Sequence, residues 1–222
     1  SEIIKFVKEK KYIVGPDGSI YVADGHSGQN MLSADALEEG RSAELTARIV
    51  KYAADGTYMM EWGQLGMRHG EFRTPHALEF DSQGRLWVAD RGNHRLELFD
   101  QDGNYLESRY SYGRISGFFI TDDDMVYAID SESGPLRHEP WHCGVRVGPL
   151  NEDYITAFIP GYQTESRGEQ GTAGEGIAVD QDGNVFAAEG PVSLPLAGGA
   201  FMSGGCKEGE LPGKCTGGWD TS

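Results

Sequence analysis

The sequence predicts an all-β fold, a β-propeller of about four four-stranded blades, on three observations. Four segments repeat one pattern: VGPDGSIYVADG (14–25), FDSQGRLWVADRG (80–92), ITDDDMVYAIDSE (120–132) and VDQDGNVFAAEG (179–190). Each has an apolar entry, an Asp- and Gly-rich turn and an alternating apolar strand, and closes on an acid: Asp24, Asp90, Asp130 or Glu189. Two further segments, 47–63 and 94–110, read strand, Asp-Gly turn, strand, and so supply the outer half of a blade. The closing acids Asp90 and Asp130 are 40 residues apart, the length of a bare four-stranded blade. One such sheet cannot bury both faces, so the units must stack on one another.

At the start of the chain, SEIIKFVKEKK, residues 1–11, has an outer-strand pattern with no blade before it. It is expected to pair with the blade formed by residues 173–189, because an unpaired strand edge invites aggregation. Alternatively it enters a neighbouring subunit and makes a homo-oligomer. The interval of 66 residues from Asp24 to Asp90 contains an insertion at 26–46, whose Ser33–Glu39 portion is suited to start a short helix. Residues 74–106 form the most regular stretch, with period-two alternation in Arg95-Leu96-Glu97-Leu98-Phe99. The interval of 59 residues from Asp130 to Glu189 holds two polar, turn-rich segments, 133–143 and 161–172, expected as rim loops. Residues 1–190 are therefore read as the propeller and 191–222 as a Gly-rich tail. Trp62, Phe72, Trp87, Phe99 and Phe118 are expected in the core between blades.

Composition narrows the function classes. The 222 residues carry a formal charge of −16, which argues against nucleic acid and anionic membranes as partners, since both require clustered Lys and Arg. No apolar run approaches the length that spans a bilayer. Carboxylate-rich turns such as Asp122-Asp123-Asp124 suit calcium. Of three cysteines, Cys206 and Cys215 lie in the tail, where a bridge would help to order it and would imply an extracellular or periplasmic compartment. No CxxC pair, GxSxG elbow or phosphate-binding loop is present; GEQGTAGEG lacks the lysine and the strand-to-helix setting that such a loop needs.

TPHALEFDSQGRLWVADRGNHRLELFDQDG, together with IYVADG and ARIVKYAADGTYMMEWG, resembles NHL-repeat propellers over about residues 11–190. Within that group the chain looks most like the peptidyl-α-hydroxyglycine α-amidating lyases and their uncharacterised bacterial relatives. The resemblance implies NHL-like blades, part of a six-bladed plan, with a catalytic zinc held by histidines that follow a proline at the inner start of separate blades. Pro75-His76 matches one such position, and Arg91 in Val88-Ala89-Asp90-Arg91 matches an arginine that acts beside the metal. The family's tyrosine position, after Val22-Ala23-Asp24-Gly25, is His26 here, and its last histidine position is Glu175. The blade expected to carry the first zinc histidine has no counterpart in this sequence. The resemblance therefore implies zinc on His76 and Glu175, with Arg91 and His26 as catalytic residues, acting on a small-molecule or peptide-derived substrate. The departures imply a metal-assisted lyase or hydrolase rather than the amidating reaction unchanged. The alternative is a non-catalytic extracellular propeller that self-assembles through its terminal strand.

Other residues have plainer readings. The His94-Arg95 pair is expected to fix a turn. His138, His142 and Cys143 flank Trp141 in HEPWHC and are expected to pack a loop, although they are residue types that also bind transition metals.

Overall fold

A computed structural model of the chain describes residues 11–26, 45–134, 138–161 and 174–188. These residues form a β-propeller in which three blades are four-stranded antiparallel sheets and the fourth contributes a hairpin. Blade one comprises β1 (Lys11–Val14), β2 (Ile20–Asp24), β3 (Arg48–Tyr52) and β4 (Tyr58–Trp62). Blade two comprises β5 (Pro75–Phe80), β6 (Leu86–Asp90), β7 (Arg95–Phe99) and β8 (Tyr105–Arg109). Blade three comprises β9 (Ile115–Ile120), β10 (Met125–Asp130), β11 (Gly144–Pro149) and β12 (Ala157–Pro160), and blade four β13 (Gly176–Val179) and β14 (Val185–Ala188). Lys11 thus begins the innermost strand of blade one. The expected strand pairing of residues 1–10, the helix at Ser33–Glu39, most of the 161–172 loop, Glu189 and the tail cysteines lie outside the described residues.

The hairpins form because a side chain gathers the N–H groups of the turn, an aspartate in most of them and Thr121 in ITDDDM, where Oγ1 accepts from Met125 N (3.0 Å). Asp81 Oδ1 accepts the backbone N–H of Gln83 (3.0 Å) and Arg85 (2.9 Å), while Oδ2 accepts from Arg85 Nε (2.8 Å) and Trp87 Nε1 (3.1 Å). Asp100 does the same for Asp102 and Asn104, and Asp180 for Asp182 and Asn184. The glycine that follows takes the left-handed conformation, as at Gly84 (φ 71) and Gly183 (φ 81). ITDDDM has no glycine, and Asp124 itself adopts φ 58. Its carboxylate then reaches back to blade two, accepting from Ser82 N (2.9 Å) and Ser82 Oγ (2.6 Å).

Alternation along the strands sorts side chains between neighbouring blades. Leu86 and Val88 of β6 face blade one, where they pack with Tyr21, Ile49, Leu78 and Phe99. Trp87 and Ala89 face blade three, where they pack with Phe118, Ile120, Val126 and Ala128. A smaller cluster of Ile129, Val145 and Val147 meets Ile177 of blade four. Trp62, Phe72 and Phe99 lie in the first interface and Trp87 and Phe118 in the second, as expected.

The acid that closes each of the first three repeats locks its blade. Asp24 pairs with Arg48 (3.1 Å), Asp90 with Arg95 (3.1 Å) and Asp130 with Arg146 (2.8 Å), each joining the second strand to the third. In two blades the same carboxylate also receives backbone N–H groups from the entry to the innermost strand. Asp90 Oδ1 accepts from Arg73 (2.9 Å) and Thr74 (3.3 Å), and Asp130 Oδ2 from Arg114 (3.1 Å). Arg95 additionally donates to the carbonyls of Met67, Arg68 and Glu71, so the His94-Arg95 pair includes the structural fastener expected of it. These clamps fix the places where functional side chains emerge.

Candidate functional site at the inner rim

Two sets of positions converge on one rim. The first set sits at the starts of the innermost strands: His76, Ser116 and Glu175. The second comes directly after the locking acids: His26 after Asp24-Gly25, Arg91 after Asp90, and Ser131 and Glu132 after Asp130.

His76 is buried, with 3% of its surface exposed. The ladder between β5 and β6 shifts register between Pro75 and Ala77, making His76 the unpaired residue of a bulge. Its Nδ1 lies 2.6 Å from the backbone carbonyl oxygen of Ser116. A carbonyl only accepts, so Nδ1 carries the proton and Nε2 presents a lone pair. Burial, and then the nearby Arg91 charge, push its pKa down to about 3, so the ring is neutral at physiological pH. A histidine fixed through Nδ1–H to a carbonyl is the usual arrangement of a metal-ligating imidazole. The ring of His26, an exposed residue, is centred 5.6 Å from that of His76.

Arg91 opens a short 3-10 turn and is 1% exposed. Its N–H donates to Thr74 O (3.0 Å), and Nη1 donates to Ser116 Oγ (3.2 Å). His76 and Arg91 therefore hold the same residue, one through its carbonyl and one through its hydroxyl. Arg91 also lies 3.7 Å from Glu175 Oε1 and 3.8 Å from Glu132 Oε2. Glu175 is largely exposed, and its carboxylate is directed to Arg91.

The structure thus brings His26, His76, Arg91 and Glu175 to one rim, in two pairings: imidazole beside imidazole, and guanidinium beside carboxylate. Among the described residues no group of three His, Cys, Asp or Glu side chains is arranged to hold a metal ion. His76 and His26 are neighbouring imidazoles on this rim, while Glu175 lies against Arg91.

Sequence reasoning missed Ser116, Ser131, Glu132 and Arg114. The signal for Glu132 was available: it comes after a locking acid, as Arg91 and His26 do. A neighbouring stack was also hidden, since His94 and His138 come from different blades. Their ring centroids are 3.9 Å apart, and His138 in turn stacks on Trp141 at 4.7 Å. Ser133 Oγ lies 3.0 Å from His138 Nδ1, and Cys143 Sγ donates to Ser133 O, so this loop is packed as expected. Of the acidic turn, Asp123 accepts from Thr121 Oγ1 and Asp124 from Ser82.

The sequence model of the NHL repeat matches residues 72–99. NHL repeat-containing protein 3 from Homo sapiens is 34% identical over 101 residues, covering 45% of this chain and 24% of that protein. Peptidyl-glycine alpha-amidating monooxygenase A from Xenopus laevis is 25% identical over 186 residues, covering 78% of this chain and 17% of that protein. The chain thus spans a quarter or less of each of these relatives. A gluconolactonase from Xanthomonas campestris superposes with a TM-score of 0.51 at 19% identity, covering 81% of this chain and 53% of that one, a likeness of fold.

Proposed function

We propose that this NHL-repeat β-propeller is a metal-assisted lyase or hydrolase that acts at the inner rim of its blades on a small, polar, peptide-derived molecule. The observation that carries the reading is His76: buried, neutral, tied through Nδ1 to Ser116 O and offering Nε2 beside Arg91. The similarity to an amidating monooxygenase over 186 residues supports the choice of a peptide-derived substrate.

His76 and His26 would hold the metal, for which zinc is the expected identity. When bound, zinc polarises a carbonyl or hydroxyl and lowers the pKa of a bound water toward neutrality. Arg91, held by Ser116 and Thr74, presents a preset guanidinium to an anionic group on the substrate. Glu175 lies at the exposed side of Arg91 and sets how much of that charge a substrate meets.

Elemental analysis of the purified protein tests this reading. Zinc is expected in the wild type, with loss of at least about tenfold in affinity in His76→Ala, the order seen when a metal site loses a determinant. Equal zinc content in the two proteins, or none in either, would remove the proposal.

A further inference from the structure

Arg114 immediately precedes β9 and is almost fully enclosed. Its side chain is 9% exposed. Its Nη1 donates to His94 Nε2 (3.0 Å) and its Nη2 to Glu132 Oε2 (2.6 Å). Its Nε, also buried, has no hydrogen-bond partner among the described residues. Arg91 Nε approaches the same oxygen, Glu132 Oε2, at 3.8 Å. Two guanidiniums from different blades therefore converge on one carboxylate. Arg73 lies close enough to oppose the charge of Arg114. A chain of net charge −16 has gathered these cations at one rim, where buried guanidiniums attract anions most strongly.

We propose that Arg91 and Arg114 form a two-arginine clamp for a substrate carboxylate, and that Glu132 is its internal occupant, displaced when the substrate carboxylate enters. The clamp rests on the reading of this rim as the substrate site and adds to it a positioning residue, Arg114, and an internal competitor, Glu132. Glu132 suits the role of occupant. Its N–H is anchored to Asp130 Oδ1 (3.2 Å), so the side chain can rotate without moving the backbone. Its carboxylate is partly exposed, so water is available to it when it leaves. Arg114 suits the role of fixed member. His94, which holds Nη1, is itself pinned by His138 and Trp141. The backbone N–H of Arg114 is bonded to Asp130, the acid that also binds Arg146.

Calorimetric titration of the intact chain with N-acetylglycine, and with the uncharged N-acetylglycinamide, tests the clamp. The acid is expected to bind and the amide to bind far more weakly. Arg114→Gln should weaken the acid about tenfold, and Glu132→Gln should strengthen it by a similar factor, the scale of one charge-assisted hydrogen bond. A gain of affinity cannot come from misfolding, so the Glu132 variant guards the result against an unstable Arg114 variant. Equal binding of acid and amide, or unchanged affinity in Glu132→Gln, would overturn the clamp. His76→Ala should keep the preference for the acid while losing zinc. A metal-free wild type that still prefers the acid would remove the metal-assisted reading and leave the clamp standing.

Discussion

His76 shows how much one buried imidazole constrains the chain. Its folded pKa is depressed to about 3 by burial and by Arg91, against an ordinary value near 6.5 in the unfolded chain. Above pH 6.5 neither state is protonated, and the residue makes stability independent of pH. Below it the unfolded chain takes up a proton that the native state refuses, so stability falls as pH falls from about 6.5 toward 3. By pH 4.5 this one group should remove about 2 to 3 kcal/mol. Urea unfolding at pH 7 and pH 4.5 reads it: the loss should be smaller by that amount in His76→Gln, whose amide can still donate to Ser116 O. An identical loss in both proteins would show that His76 is not held neutral. Pro75-His76 and Val88-Ala89-Asp90-Arg91 made His76 and Arg91 legible in the sequence. Arg114 and Glu132 were not, because their meaning arises only where blades two and three meet, and no local pattern records that contact.

The blade is the element in which sequence and structure agree most closely. The apolar run Leu86-Trp87-Val88-Ala89 marks a strand buried on both faces, and period two divides its side chains into two sets, one for each neighbouring blade. The role of the closing acid was visible only as a repeat mark. Its physical role is to neutralise an arginine on the next strand and to cap the entry of the innermost strand. The three locks should therefore differ in strength with burial. Asp90 is fully enclosed, and its Arg95 partner is 4% exposed, whereas Arg48, the partner of Asp24, is 35% exposed. Breaking a buried pair leaves an uncompensated charge and costs about 3–5 kcal/mol, whereas exposed pairs are worth about 1 kcal/mol or less. Asp90→Ala should lose about 3 kcal/mol in denaturant unfolding, the low end of that range, because Arg95 keeps Glu97 at 3.3 Å while the N–H groups of Arg73 and Thr74 lose their acceptor. Asp24→Ala should lose about 1–2 kcal/mol, since half of its arrangement is solvated and Arg48 keeps Glu61 at 2.9 Å. Equal losses would mean that the locks are not graded by burial.

Across the molecule, burial falls away from blade two. Every residue of β6 and β7 is buried, while β14 is mostly exposed and so is β1. In a stacked-repeat fold each sheet is stabilised by its neighbours, so opening should track this gradient rather than occur all at once. Amide hydrogen exchange should be slowest in β6 and β7, intermediate in β2 and β10, and fastest in β13 and β14. Uniform protection across all four blades would contradict it. The gradient also crosses the candidate site. His76 and Arg91 belong to the best-protected blade, whereas Glu175 precedes β13 in the least-protected one. The side chains proposed to bind a ligand, His76 and Arg91, are thus the buried ones, and the carboxylate that faces Arg91 is the exposed one. A ligand that occupies the clamp bridges blades two and three through Arg91 and Arg114. N-acetylglycine should therefore slow exchange at the start of β9 more than at β13, which carries no clamp residue, and equal slowing at the two would contradict it.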